Sequence, residues 1–228
     1  YVMNDMHDID ADRRHPKKKL RPLASGSITL TQARVLSVVL LVAGLGGAYL
    51  LSHLFSVVVG TYVVIQIVYS TWLKRIALLD VIVIASGFVL RAMAGAVVLK
   101  RVSISDWFLQ KGVTISVWLL LCTFLLALFL ALCKRRHEKL LLSDEAGSEH
   151  RPSLDGYNER LLDLLIAISS AATIVAYAMY TLSPDTVRKF GTSALGLTVP
   201  FVVFGVFRYL DLVYRHEKGG QPEKILLS

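Results

Sequence analysis

Six apolar stretches of about twenty residues limit what this chain can fold into: 31–51, 54–73, 78–99, 113–133, 161–182 and 192–214. Each is long enough to cross the roughly 30 Å hydrocarbon core of a bilayer as a helix. In that medium every backbone N–H and C=O needs a partner within the protein, and a helix supplies one locally. With 54% hydrophobic residues and a mean hydropathy of +0.57, the chain is too apolar for a water-soluble domain. It reads as an all-α, polytopic membrane helix bundle, a single integral membrane domain over 1–228. The opening Tyr1-Val2-Met3 and the closing apolar run Ile225-Leu226-Leu227 read as cuts through flanking helices, so truncation at both ends is expected.

The connections between these stretches are unequal in charge. Seventeen Lys and Arg fall on the side that carries residues 4–21, against five on the other. The positive-inside bias places the richer side in the cytoplasm, as expected for a multi-pass protein of the cell's inner (plasma) membrane. Two connections on that side, 9–28 and 134–160, are expected as loops capping a site; the second is broken by Gly147, Pro152 and Gly156. Cys122 and Cys133 lie eleven residues apart, about three helical turns, too far for a disulfide.

The densest chemistry sits at the start. Asn4, Asp5, Asp8 and Asp12 share a stripe about 100° wide if the segment is helical, while Asp10 points elsewhere. Carboxylates stacked so closely repel one another unless a cation neutralises them, and a hard divalent ion with oxygen ligands does so. Mg²⁺ favours one or two carboxylates completed by phosphate oxygens. The adjoining Lys17-Lys18-Lys19-Leu20-Arg21-Pro22 suits the same phosphates, with Arg21 able to make paired contacts. The cassette therefore reads as a magnesium-diphosphate site at a membrane surface, with Asp5, Asp8 and Asp12 on the metal and Asn4 orienting them. Lys17 and Lys19 are better explained by lipid head groups.

Charges inside the apolar stretches are costly and are expected to face a polar interior. Asp80 and Arg91, eleven residues apart, should face the same way, and Gly87 and Gly95 around Arg91 allow close helix packing. Arg91 can serve there as partner of Asp80 or as a phosphate ligand. Arg208 and Asp211 repeat the theme one turn apart, and Pro200 is expected to kink that stretch.

Asn4-Asp5-x-x-Asp8-x-x-x-Asp12, followed by Arg21-Pro22-Leu23-Ala24-Ser25-Gly26, resembles the first motif of the UbiA superfamily of intramembrane prenyltransferases. The resemblance continues through Tyr69-x-x-x-x-Lys74. It implies nine transmembrane helices in the full protein, of which six complete ones and a stub of the second would be present here. Asp12-Arg13-x-His15-Pro16-x-Lys18-x-x-Arg21-Pro22, Phe88-Val89-Leu90-Arg91-Ala92, Lys134-Arg135-x-x-Glu138 and Phe207-Arg208-Tyr209 are similar to a branch that transfers 5-phosphoribose instead of a prenyl group. Where prenyl-transferring members carry a second Asp-x-x-x-Asp motif, this chain has Lys74-Arg75 and the single carboxylate Asp80.

The resemblance implies phosphoribosyl pyrophosphate as donor and a polyprenyl phosphate such as decaprenyl phosphate as acceptor, in the synthesis of cell-wall arabinan. On that basis Lys18 and Arg21 take diphosphate oxygens. Lys134, Arg135, Arg151 and Arg208 bind the ribose 5-phosphate or the acceptor phosphate. Tyr69, Lys74, Asp80 and Arg91 line the deeper cavity, while Glu138 and Tyr157 contact ribose hydroxyls or order a loop. The lipid tail is expected in an apolar groove between helices. No nucleic-acid partner is expected, and a homo-oligomer stays open. The nearest rival is prenyl transfer to an aromatic or glycerol-phosphate acceptor. A transporter is the rival of another class, but its polar groups should lie near the midplane in paired repeats. Here they crowd one face.

Overall fold

A computed structural model describes residues 2–14, 18–100, 116–144, 154 and 156–215. Two short helices, α1 (Val2–His7) and α2 (Ile9–Arg14), open the chain. The long helices α3 (Leu30–Leu51), α4 (His53–Thr71), α5 (Leu79–Lys100), α6 (Val117–Asp144) and α7 (Glu159–Leu182) follow. A seven-residue helix α8 (Pro184–Phe190), a 3₁₀ run Ala194–Thr198 and α9 (Val199–Arg215) end it. Six segments are long and apolar enough to span a membrane, in the register the sequence suggests.

Local chemistry sets the boundaries. The Thr29 hydroxyl accepts from Gln32 N–H while the Gln32 side chain accepts from Thr29 N–H, a reciprocal cap that starts α3. Ser52 alone separates α3 from α4, at extended φ. Asn158 caps α7 through Leu161 N–H at 2.6 Å. Inside the spans, Thr61, Ser86, Thr123 and Thr173 donate to the carbonyl four residues earlier, so these four hydroxyls are satisfied within their own helices.

Two expectations about elements change. The connection 134–160 begins as helix, because α6 runs through Asp144. Lys134-Arg135-Arg136-His137-Glu138 ends the apolar run, but Lys, Arg, Glu and Leu favour helix, and no breaker occurs before Gly147. At 28 residues α6 is about 42 Å long, so its polar end projects beyond a 30 Å core. Likewise 9–28 contains α2 and the 3₁₀ turn Lys18–Leu20. Pro200 is the second residue of α9, just after the 3₁₀ run Ala194–Thr198 of the same span, where its missing N–H has no α-helical acceptor to lose.

The spans pack in chain order, α3 on α4, α4 on α5, α5 on α6, α6 on α7, with α9 on α7. α1 rests on α3 and α4. The main core joins Val81, Phe129, Leu132, Leu162, Ile166, Val206 and Leu212 from α5, α6, α7 and α9. It lies at the end where α4 stops and α5 and α7 start. Gly87 is the close approach between α4 and α5, since a Cβ there would stand 3.4 Å from Gln66 Nε2. Val38, Val42 and Leu50 of α3 and Phe201 and Phe204 of α9 face outward, as a lipid-facing surface requires.

Candidate active site

The acidic stripe forms as a helix with one irregular residue. Asp8 N–H donates to Asn4 C=O at 3.0 Å and Asp12 N–H to Asp8 C=O at 2.7 Å, so the four-residue ladder carries across the break between α1 and α2. This aligns Asn4, Asp8 and Asp12, and Asn4 Nδ2 donates to Asp8 Oδ2 at 3.0 Å. Asp10 is left in solvent beside Arg13.

Each carboxylate of the stripe already has a cation. One nitrogen of Arg21, NH1, donates to Asp5 Oδ1 at 2.7 Å and to Asp12 Oδ2 at 2.8 Å. Asp8 Oδ1 is paired with the ammonium of Lys74, which is itself nearly buried in the 3₁₀ turn Leu73–Arg75 after α4. Closely stacked acids need such neutralisation, and here side chains provide it.

Behind the stripe lies a second cluster. Asp80 is fully buried at the start of α5. Its Oδ2 accepts from Arg135 Nε at 2.7 Å and its Oδ1 from the Tyr157 hydroxyl at 2.7 Å. Arg135 also pairs with Glu138 one turn along α6, and Tyr69 at the end of α4 lies near it. The Tyr157 oxygen in turn accepts the N–H of Leu78 at 2.7 Å. Burial first, then the bond to Asp80 and its charge, push the Tyr157 phenol well above its ordinary pKa, so it stays a donor.

Several sequence expectations are redrawn. Asp80 pairs with Arg135 of α6 and not with Arg91, and, enclosed by its partners, it lines no open cavity. Arg91 lies about 16 Å further along α5. It donates to the Tyr62 hydroxyl at 2.5 Å and sits over the Tyr62 and Phe88 rings at 5.1 and 4.8 Å. Among the described residues it has no carboxylate partner. Glu138 meets Arg135 within α6, and the Tyr157 hydroxyl meets Asp80 and the Leu78 N–H. Arg208 pairs with Asp211 at 3.5 Å on an exposed face of α9 instead of facing the interior. Lys134 is exposed. Lys18 begins a 3₁₀ turn, but its side chain, like the whole of Arg151, lies outside the described residues.

One cluster escaped the sequence. Arg136 Nε donates to Asp163 Oδ1 at 2.7 Å, Tyr214 OH donates to the same oxygen at 2.8 Å, and the Arg136 guanidinium covers the Tyr214 ring at 4.2 Å. These contacts tie α6, α7 and α9 together at the polar end. Reading 134–160 as loop hid them; continued helix points Arg135 and Arg136 at different neighbours.

Between α4, α5 and α6 an open apolar cleft of about 330 Å³ is lined by Ile65, Ser86, Val89, Leu90, Leu120 and Phe124. It begins roughly two turns beyond Asp80, on the membrane side of the polar cluster.

Residues 1–225 match the UbiA prenyltransferase family. The chain belongs to that family. It is 32% identical over 238 aligned residues to a protein of Mycolicibacterium smegmatis named decaprenyl-phosphate phosphoribosyltransferase, covering all of this chain and 69% of that one. A protein of the same name from Corynebacterium glutamicum is 30% identical, again across the whole chain and 65% of the relative. The chain thus spans about two thirds of the length of these relatives. A UbiA homologue from Archaeoglobus fulgidus, solved with GPP and Mg²⁺, superposes with a TM-score of 0.73 at 22% identity, over 99% of this chain and 75% of that one. That likeness establishes the fold: a UbiA-type, multi-pass helical membrane protein.

Among the described residues no three acidic, His or Cys side chains already close on one point as a metal cage. The donors of this UbiA chain nonetheless fit Mg²⁺. Two carboxylate oxygens converge on the single cationic nitrogen of Arg21, which stands where a hard cation would be neutralised. A hexacoordinate ion that takes one or two carboxylates completes its shell with phosphate and water oxygens, and so needs no larger protein cage.

Proposed function

We propose that this chain transfers 5-phosphoribose from phosphoribosyl pyrophosphate to decaprenyl phosphate, releasing diphosphate, at the cytoplasmic rim of the plasma membrane, as a step toward cell-wall arabinan. The observation that carries the reading is the likeness, across the entire chain, to proteins named for that activity. The geometry supports it. Asp5, Asp8 and Asp12 form one stripe at the polar end, and the cations nearest to them, Arg21 and Lys74, are the ones a diphosphate would engage.

Asp5, Asp12 and Asp8 would hold Mg²⁺, which when bound neutralises the diphosphate leaving group. With those acids so engaged, Arg21 and Lys74 would be free to bind diphosphate oxygens, the guanidinium offering a planar pair of donors. An oxygen of the acceptor phosphate forms the new bond to ribose C1 while the bond from C1 to the diphosphate oxygen breaks. The electron pair leaves with diphosphate. Positive charge builds on C1 in the transition state as the diphosphate leaves, and neutralising the charge on that leaving group lowers the barrier. The acceptor phosphate is ionised at neutral pH, so no side chain must remove a proton from it.

Arg135 is expected to hold the ribose 5-phosphate or the acceptor phosphate, and it would have to exchange Asp80 or Glu138, which now hold it almost fully buried, for that ligand. The apolar cleft lined by Ile65, Val89, Leu90 and Phe124 gives the polyprenyl tail a place out of water.

The test is incubation of the full-length protein with ribose-labelled phosphoribosyl pyrophosphate, decaprenyl phosphate and Mg²⁺. Labelled lipid and diphosphate are expected in equal amounts. No labelled lipid, with turnover of geranylgeranyl diphosphate instead, would overturn the reading.

A further inference from the structure

Among the described residues other than glycine, Leu78 is the one with positive φ, at 69°. A side chain there costs about 1–2 kcal/mol of backbone strain. The residue sits at the elbow between the 3₁₀ turn that carries Lys74 and the start of α5. Its N–H is not spent on the helix; it is donated to the Tyr157 hydroxyl, which then donates to Asp80 two residues beyond Leu78. Tyr157 belongs to another part of the chain, seventy-nine residues from Leu78, and is 2% exposed. A single phenol oxygen thus clasps both sides of a strained elbow, four residues from the ammonium that pairs with Asp8.

We propose that Tyr157 is a positioning residue for Lys74: by holding the Leu78 elbow in its left-handed conformation, it keeps the ammonium on the acidic stripe, ready to pass to the diphosphate. This rests on the proposed function for the identity of the diphosphate ligand. Lys74 competes with a divalent cation for Asp8 in the free protein and assists a diphosphate once the cation is bound. Loosening the elbow must therefore move two affinities in opposite directions. Binding of the metal alone tightens, because Asp8 loses its built-in counter-ion. Binding of diphosphate to the metal-loaded protein weakens, because the ammonium is no longer placed. A general loosening of the fold would weaken both.

The experiment uses the full-length protein in nanodiscs, with Mn²⁺ binding followed by electron paramagnetic resonance and inorganic diphosphate binding measured at saturating Mn²⁺. Tyr157→Phe is expected to tighten Mn²⁺ and weaken diphosphate, each roughly three- to tenfold. Adding Leu78→Gly to Tyr157→Phe is expected to bring both back toward wild type, because glycine adopts this φ without strain. Leu78→Val, which leaves Tyr157 and Asp80 intact but resists positive φ, is expected to reproduce the opposed shifts and serves if Tyr157→Phe does not fold. Unchanged affinities in both variants, or parallel weakening that glycine does not reverse, would overturn the positioning role. If the wild type binds diphosphate and forms the labelled lipid while the variants shift nothing, only this inference falls. If the wild type binds neither Mn²⁺ nor diphosphate, the function proposed above falls and takes this inference with it.

Discussion

Lys74 and Asp8 form an ion pair across sixty-six residues of sequence, joining the turn after α4 to the break between α1 and α2. The lysine side chain is 11% exposed and the aspartate 30%. That pair therefore has two consequences, one for stability and one for chemistry, and they separate on mutation.

Asp8→Asn removes the charge from the partner of a nearly buried ammonium. A loss of about 1–3 kcal/mol in unfolding free energy is expected, below the cost of a fully buried pair because Asp8 retains some solvent. Turnover should fall at least about a hundredfold, as for removal of one charge-stabilising group. Adding Lys74→Met should restore most of the stability and none of the activity. Thermal unfolding in detergent and initial rates on the same preparations check both parts. A double variant that regains activity would contradict the role of Asp8.

The pair at Asp80 is more deeply enclosed, with Asp80 fully buried and Arg135 3% exposed. Asp80→Ala leaves the Tyr157 hydroxyl without its acceptor and the buried guanidinium with Glu138 as its remaining carboxylate, so a loss of about 3 kcal/mol is expected. Arg135→Met in that background should recover a large part of it, since an apolar side chain of similar length needs no partner. The pair of unfolding curves decides whether the acid serves chiefly to hold the arginine.

Much of this arrangement was legible in the sequence, and the limits are physical. Membrane spans follow from length and hydropathy, which are local sums. The acidic stripe follows from spacing, because positions 4, 8 and 12 must align on any helix. Partners do not follow. Asp80 could be matched by spacing with Arg91 on its own helix, yet a distance of about 16 Å along the axis forbids contact, and packing of α5 on α6 brings Arg135 instead. The end of α6 was hidden for another reason. Charge marks where a chain leaves the hydrocarbon, but it does not mark where a helix stops, and the residues after Leu132 are good helix formers. With that stretch read as loop, Arg136 could not be placed against Asp163.

Alkaline conditions should expose the state of Tyr157. Its phenol is held protonated in the folded protein by burial and by the bond to Asp80, so its folded pKa lies above the unfolded value of about 10. The folded state then binds more protons than the unfolded one above that pH, and stability falls as pH rises. Below about pH 10 the contribution is fully present. Comparing wild type with Tyr157→Phe from pH 8 upward, the stability advantage of the wild type should be constant at first. It should then shrink above about pH 10. An advantage that persisted undiminished to higher pH would mean that the hydroxyl proton is not what holds the contact.

The cluster of Arg136, Asp163 and Tyr214 makes a contrasting prediction, because it binds helices together without touching the acidic stripe. Asp163 accepts from both Arg136 and Tyr214, and the guanidinium lies flat on the Tyr214 ring. The carboxylate is 41% exposed, so solvent screens it, and Asp163→Asn should cost only about 0.5–1 kcal/mol. Arg136→Met should cost somewhat more, since it also loses the ring contact, worth about 0.5–1 kcal/mol at a partly exposed site. Because α6 carries both Arg135 and Arg136, a merely local effect would leave Mn²⁺ and diphosphate affinities within about twofold of wild type. Affinity measurements on Asp163→Asn, beside its unfolding curve, test this. A large loss of diphosphate binding with little loss of stability would show that the clamp at the end of α9 helps set the position of Arg135, and would extend the site to that helix.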